Sequence, residues 1–297
     1  MFEKIQSLYG QAFSNDPQDN HDPEEYHWFK SESGIPFGIK KTAVTEKEYQ
    51  LLSLSFQPVQ APPKLLTDEE RAWHECLFAG KANKVALDPD RPCFLLHIYF
   101  KTPLSEADSF REAIFALFDE SPIILWKDDH TVLLVLKNRP DFVKTEELSQ
   151  ILAADFYSDV RILVGGALRD AQTIHSVYSI EEDAFAIARK AMPERRSYRF
   201  EKVLPLFLLS AVPNAQLQTA FASFFTAMED EDPDWMNSLY VFLEHGMNMT
   251  AASKALYIHR NSLQYRIDKF SEKTGLDPKQ FEDALYIYLG LLAAKLK

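Results

Sequence analysis

The stretch MTAASKALYIHRNSLQYRIDKF, Met249 to Phe270, constrains the fold of this 297-residue chain more than any other. Thr250 is a good N-cap, and Met249 before it can act as a hydrophobic staple. Ala251 to Leu256 then reads as a short helix, in which Ala252 and Ser253 are small enough for a second helix to cross closely. Leu256 and Ile258 are apolar on either side of a turn. A second helix starting at about Arg260 would put Leu263, Ile267 and Phe270 on one face and Arg260, Asn261, Gln264, Tyr265 and Lys269 on the other. Two helices joined by a tight turn, with small residues at the crossing, form a helix-turn-helix. Tyr257 stands where many such units have glycine, which predicts a turn without positive φ at that position.

The exposed face of the second helix has the chemistry for reading DNA: Arg pairs with guanine, Asn or Gln with adenine, and Ser and Tyr reach phosphate. The same residues also suit an amphipathic helical hairpin packed inside a bundle or on a partner protein. Charge bears on the choice. The chain carries a formal net charge of -12, but from Met236 onward eight basic residues face six acidic ones, leaving -14 for everything before. The candidate reading segment therefore lies on the positive side of an asymmetric chain.

Upstream, Tyr26 to Lys30 and Pro36 to Lys40, with Ser33-Gly34 between, predict a hairpin, and Thr45-Glu-Lys-Glu48 and Thr67-Asp-Glu-Glu70 are capping boxes that open helices. The proline-rich QPVQAPP separates them, and Asp88 to Pro92 reads as a linker. Phe94 to Phe100 is an apolar run of strand length. It is followed by a helix capped by Ser105, strands Ile123 to Trp126 and Thr131 to Leu136 joined by Lys127-Asp-Asp-His130, a helix opened by Thr145, a strand Arg161 to Val164 ending in a Gly165-Gly166 turn, and a helix to Ala191. That βαββαβ order is the split βαβ arrangement of ferredoxin-like and palm-type domains. From Leu204 the pattern is helical. The expected class is α+β, with a small α+β domain at 1–88 that could sense a signal, a palm-like domain at 89–203, a helical connector at 204–234 and an all-α helix-turn-helix domain at 235–297.

The segment TAASKALYIHRNSLQYRIDKFSEKTGLD resembles the C-terminal helix-turn-helix of the PucR/CdaR family of bacterial transcription regulators. The family pattern, Leu-x-Val/Ile-His-Arg-Asn-Thr/Ser-Leu-x-Tyr-Arg-Leu/Ile, is met by Leu256, Ile258, His259, Arg260, Asn261, Ser262, Leu263, Tyr265, Arg266 and Ile267. The tail Thr274-Gly-Leu-Asp277 matches as well; Tyr257 agrees with the family's bulky residue at the turn, and Gln264 departs from its common basic residue. The middle segment, through VGGALRDAQTIHSVYSIEEDAFAIARKA, resembles the degenerate diguanylate-cyclase-like (GGDEF-like) domain that such proteins carry. The resemblance implies a sequence-specific transcription regulator on double-stranded DNA, working as a homo-oligomer and answering to a small-molecule effector. It implies DNA contacts from Thr250, Lys254, His259, Arg260, Asn261, Ser262, Gln264, Tyr265 and Lys269.

Catalysis is not expected. An active cyclase needs a glycine-paired hairpin and a carboxylate at the end of the first strand to hold two metals. Here the hairpin is Trp126-Lys-Asp-Asp-His-Thr131 and the first strand ends in His97-Ile-Tyr-Phe100. The alternative function is a palm-like domain that still binds or turns over a nucleotide. His21, Glu24, Glu25 and His27 read as a solvated turn rather than a metal site, and no cofactor is expected. Cys76 and Cys93 form no C-x-x-C pair, MFEKIQSLYG lacks the pattern of a signal peptide, and no apolar run approaches the roughly 18 residues of a membrane span. A cytoplasmic protein is the expectation.

Overall fold

The computed structural model describes residues 2–14, 25–31, 36–59, 67–82, 85–88, 90–104, 106–229 and 233–296. Ser33-Gly34, Ser105, His21 and Glu24 lie outside them. The chain divides into two compact units, Met1–Glu182 with Arg195–Arg199, and Asp183–Glu194 with Phe200–Lys297.

The first unit holds two sheets among the described residues. α1 (Phe2–Tyr9), β1 (Phe13–Ser14), β2 (Tyr26–Lys30), β3 (Pro36–Lys40), α2 (Glu46–Ser55) and β4 (Gln57–Val59) form its N-terminal part. The strands pair antiparallel in the order β1-β3-β2-β4. The two strands of the expected hairpin are β2 and β3, around a core of Phe29, Phe37, Ile39 and Phe56. Part of the proline-rich separator is itself structured: Pro58 sits in the edge strand β4, the sheet position where a residue without an N–H is tolerated. Both capping boxes close, Thr45 with Glu48 and Thr67 with Glu70, and the second opens α3 (Asp68–Ala79).

The second sheet is built from β5 (Cys93–Phe100), α4 (Ala107–Leu117), β6 (Ile123–Trp126), β7 (Thr131–Leu136), α5 (Phe142–Asp155), β8 (Val160–Leu168), α6 (Ile174–Ala191) and β9 (Ser197–Arg199). Its order is β6-β7-β5-β8-β9, antiparallel except for β8 with β9. The chain is thus α+β, and βαββαβ is the order seen. The strands read as unbroken apolar runs because both faces are covered. Leu96, Ile98, Phe100, Val132 and Leu134 pack with Phe110 and Ile114 of α4 and Leu148 and Leu152 of α5. Leu95, Leu125, Leu133 and Val135 pack on the other face with Trp73, Cys76 and Leu77 of α3 and Ile174 and Tyr178 of α6. α5 starts at Phe142 rather than at Thr145, whose hydroxyl donates to the Asp141 carbonyl from inside the first turn.

Gly165-Gly166 is not a turn. β8 runs on through both glycines to Leu168, with two steps of β5 (Leu96 to Phe94) opposite three steps of β8 (Val164 to Ala167). This bulge shifts the side-chain alternation by one residue. Val160, Ile162 and Val164 face α4 and α5, whereas Leu168 faces α3 and α6. The carboxylate of Glu181, on α6, sits at this bulge. Its Oε1 accepts from the Gly166 N–H at 2.6 Å, and its Oε2 lies 2.8 Å from His97 Nε2. A Cβ on Gly165 would stand 2.5 Å from Oε2, so the glycine makes room for the carboxylate. The His97 and Glu181 side chains are 2% and 0% exposed. The His97 ring lies parallel to Tyr178 at 6.0 Å.

The second unit is helical: α7 (Phe200–Ser210), α8 (Asn214–Ala220), α9 (Ala222–Met228), α10 (Pro233–Glu244), α11 (Met249–Ala255), α12 (Arg260–Thr274) and α13 (Phe281–Ala294). α7 and α9 pack on α13, and α9 packs on α12. No helix among the described residues is long and apolar enough to cross a membrane.

Candidate nucleic-acid interface

α11 and α12 are the two helices of the motif. The first begins earlier than Thr250 would start it. Asn248 is the cap, its side chain accepting from the N–H groups of Thr250 and Ala251 at 3.0 Å each. Both residue types cap well; the chain's exit from α10, with Gly246 (φ 61) and Met247 (φ 60) left-handed, puts Asn248 at the boundary. Thr250 is thereby an exposed first-turn residue. Ala252 and Ser253 are buried where α12 crosses, and Leu263, Ile267 and Phe270 turn inward as the spacing predicts.

α12 starts at Arg260, with His259 as its N-cap and Nδ1 accepting from the Asn261 N–H at 3.2 Å. His259 therefore acts first on the helix end. Lys254, Arg260, Asn261, Ser262 and Tyr265 are exposed around this start. The remaining residues of the expected contact set are more engaged. The Gln264 amide donates to Asp268 Oδ1 one turn on, at 2.5 Å. The Lys269 ammonium lies 4.6 Å from the centre of the Trp235 ring. Arg266 is a structural residue missed by a reading of surface faces: its guanidinium donates to Ser238 Oγ at 2.5 Å and to the Asp234 carbonyl at 3.1 Å, fixing α12 to α10. The free polar edge thus narrows to the first two turns of α12.

The turn departs from expectation. Tyr257 has φ 55. Its N–H donates to the Lys254 carbonyl and the next N–H, of Ile258, to Ser253, both at 3.1 Å, the paired bonds of a helix end that requires a left-handed residue. A side chain there costs about 1–3 kcal/mol relative to a relaxed backbone.

The palm-like hairpin shows turn chemistry. Asp128 Oδ1 accepts from the His130 N–H at 2.9 Å, and its other oxygen lies 3.8 Å from Lys30 Nζ. Lys127 ion-pairs with Glu182. Burial raises both the Cys76 and Cys93 thiols above their ordinary range, which disfavours a reactive thiolate.

Residues 235–293 match the model of the PucR C-terminal helix-turn-helix domain. An uncharacterized Bacillus subtilis protein, YxkF, is 31% identical over 256 residues, 84% of each chain. The carbohydrate diacid regulator of Escherichia coli is 29% identical over 133 residues, 44% of this chain and 34% of the relative. The purine catabolism regulatory protein of Bacillus subtilis is 30% identical over 95 residues, 32% and 17% of the two chains.

Proposed function

The chain belongs to the PucR/CdaR family of transcription regulators, and on that premise we propose that it binds double-stranded DNA sequence-specifically, with α12 in the major groove. The observation that carries this reading is the exposed polar edge at the start of α12, on a buried crossing of α11 and α12. Arg260 and Asn261 are the base readers, joined by Gln264 if its amide leaves Asp268. Thr250, Lys254, Ser262 and Tyr265 hold phosphates, and Lys269 adds positive potential beside Trp235. One such module buries little surface, so binding uses a homo-oligomer on paired half-sites. The N-terminal sheet is the candidate sensor of a small-molecule effector, in a cytoplasmic protein.

Genomic fragments retained by the purified chain define the site that tests this. At that site Arg260→Ala and Asn261→Ala should each cost roughly 1–3 kcal/mol, with a much smaller loss on unrelated duplex. If both variants keep wild-type selectivity, another surface reads the sequence.

The middle sheet serves regulation rather than nucleotide chemistry in this reading. Asp128 is engaged by His130 and Lys30, and His97 lies against Glu181 at the strand where a cyclase carboxylate would be needed. Pure protein with GTP or ATP and magnesium should yield no cyclic nucleotide product. Product that forms and is lost on Asp129→Ala would establish the enzyme reading instead.

A further inference from the structure

Left-handed residues follow α3, α10, α11 and α12 among the described residues, with glycine at three of these four ends; Met247 (φ 60) beside Gly246 and Tyr157 (φ 48) after α5 are left-handed without being glycine. Gly80 (φ 68) ends α3, Gly246 (φ 61) follows α10 and Gly275 (φ 74) ends α12. The fourth, at the end of α11, uses Tyr257. Its side chain is 96% exposed, so packing within the chain does not account for an aromatic residue in a conformation that favours glycine. Lys254 and Arg260, three residues before and after it, are exposed cations, so the ring stands in a locally positive surface at the turn.

We propose that Tyr257 is a DNA-backbone contact, its phenol hydroxyl donating to a phosphate oxygen of the duplex whose bases α12 reads. The proposal rests on the DNA-binding reading and adds to it a residue outside the expected contact set. A hydroxyl donor brings no positive charge and displaces no condensed cation. Its loss should therefore weaken binding to every sequence alike and leave the salt dependence unchanged, unlike the loss of a lysine contact. Tyr157 supplies an internal control, because it is also left-handed (φ 48) and 92% exposed, but follows α5 in the other unit.

The test uses the full chain, a fluorescent duplex carrying a genomic site selected by the wild-type protein, and an unrelated duplex of equal length. Tyr257→Phe and Tyr257→Gly should each weaken binding to both duplexes by about tenfold, the scale of a hydrogen bond to a charged acceptor. The log-log salt slope should stay at its wild-type value, whereas Lys254→Ala should reduce it by about 0.9. Tyr257→Gly should melt roughly 2–4 °C higher than wild type, because glycine relieves the strained turn. Tyr157→Gly should gain stability in the same way and keep full DNA affinity. Wild-type binding by Tyr257→Phe overturns the contact while leaving the DNA-binding reading intact. So does unchanged DNA affinity accompanied by a changed sedimentation coefficient, which would make Tyr257 a contact between proteins. A wild-type chain that retains no duplex at low salt overturns both.

Discussion

Glu181→Ala is expected to destabilise the unit containing the middle sheet by about 2–5 kcal/mol, because two buried polar groups lose their hydrogen-bond partner at once. The wild-type carboxylate is fully buried and binds in two directions, to His97 at 2.8 Å and to the Gly166 N–H at 2.6 Å. Alanine withdraws both acceptors at once, and water does not reach the site to replace them. Urea unfolding followed by tryptophan fluorescence would measure the loss, since Trp126 is buried in that unit. Glu181→Gln keeps an oxygen for Gly166 and should cost less. The double variant His97→Leu with Glu181→Leu should recover only the His97 share of the loss, because the Gly166 N–H still lacks its acceptor. A single Glu181→Ala chain that unfolds at the wild-type urea concentration would mean that the bulge in β8 stands without its carboxylate.

A loss of similar size, about 3–5 kcal/mol, should follow Phe270→Ala in the helical unit. The Phe270 ring is 1% exposed and meets Phe224 of α9 edge-on at 6.1 Å. Alanine leaves a ring-sized cavity beneath α12, bounded by helices that cannot collapse into it without moving. DNA affinity should fall with the folded fraction, in proportion at each temperature. Arg260→Ala, by contrast, should lose affinity with its melting temperature unchanged, because that side chain is on the surface. Equal unfolding midpoints for Phe270→Ala and wild type would remove α9 from the support of the reading helix.

Local chemistry accounts for what the residues reveal unaided. The capping boxes at Thr45 and Thr67 close because each involves residues only three apart, and the inward face of α12 follows from the helical spacing of Leu263, Ile267 and Phe270. The β5 and β7 runs are long and apolar because sheet faces covered on both sides leave no polar alternation. The family resemblance at residues 249–277 is legible for the same reason: its determinants are contiguous.

The parts that escape such a reading depend on residues far apart in the chain. Glu181 reads as one acid in an ordinary helix, and Gly165-Gly166 as a turn, until a contact across fifteen residues makes the first the acceptor for the second. α3, before the expected linker, covers one face of the middle sheet, and its Trp73, Cys76 and Leu77 do not specify which surface they will meet. Gln264, Arg266 and Lys269 share one helix, yet an intrahelical bond holds the first, while α10 engages the other two through Ser238 and Trp235. Asn248 and Thr250 are both good caps, and only the path out of α10 selects between them. Backbone torsion is the least legible of all: the side chain of Tyr257 argues against positive φ, and the closing bonds of α11 impose it.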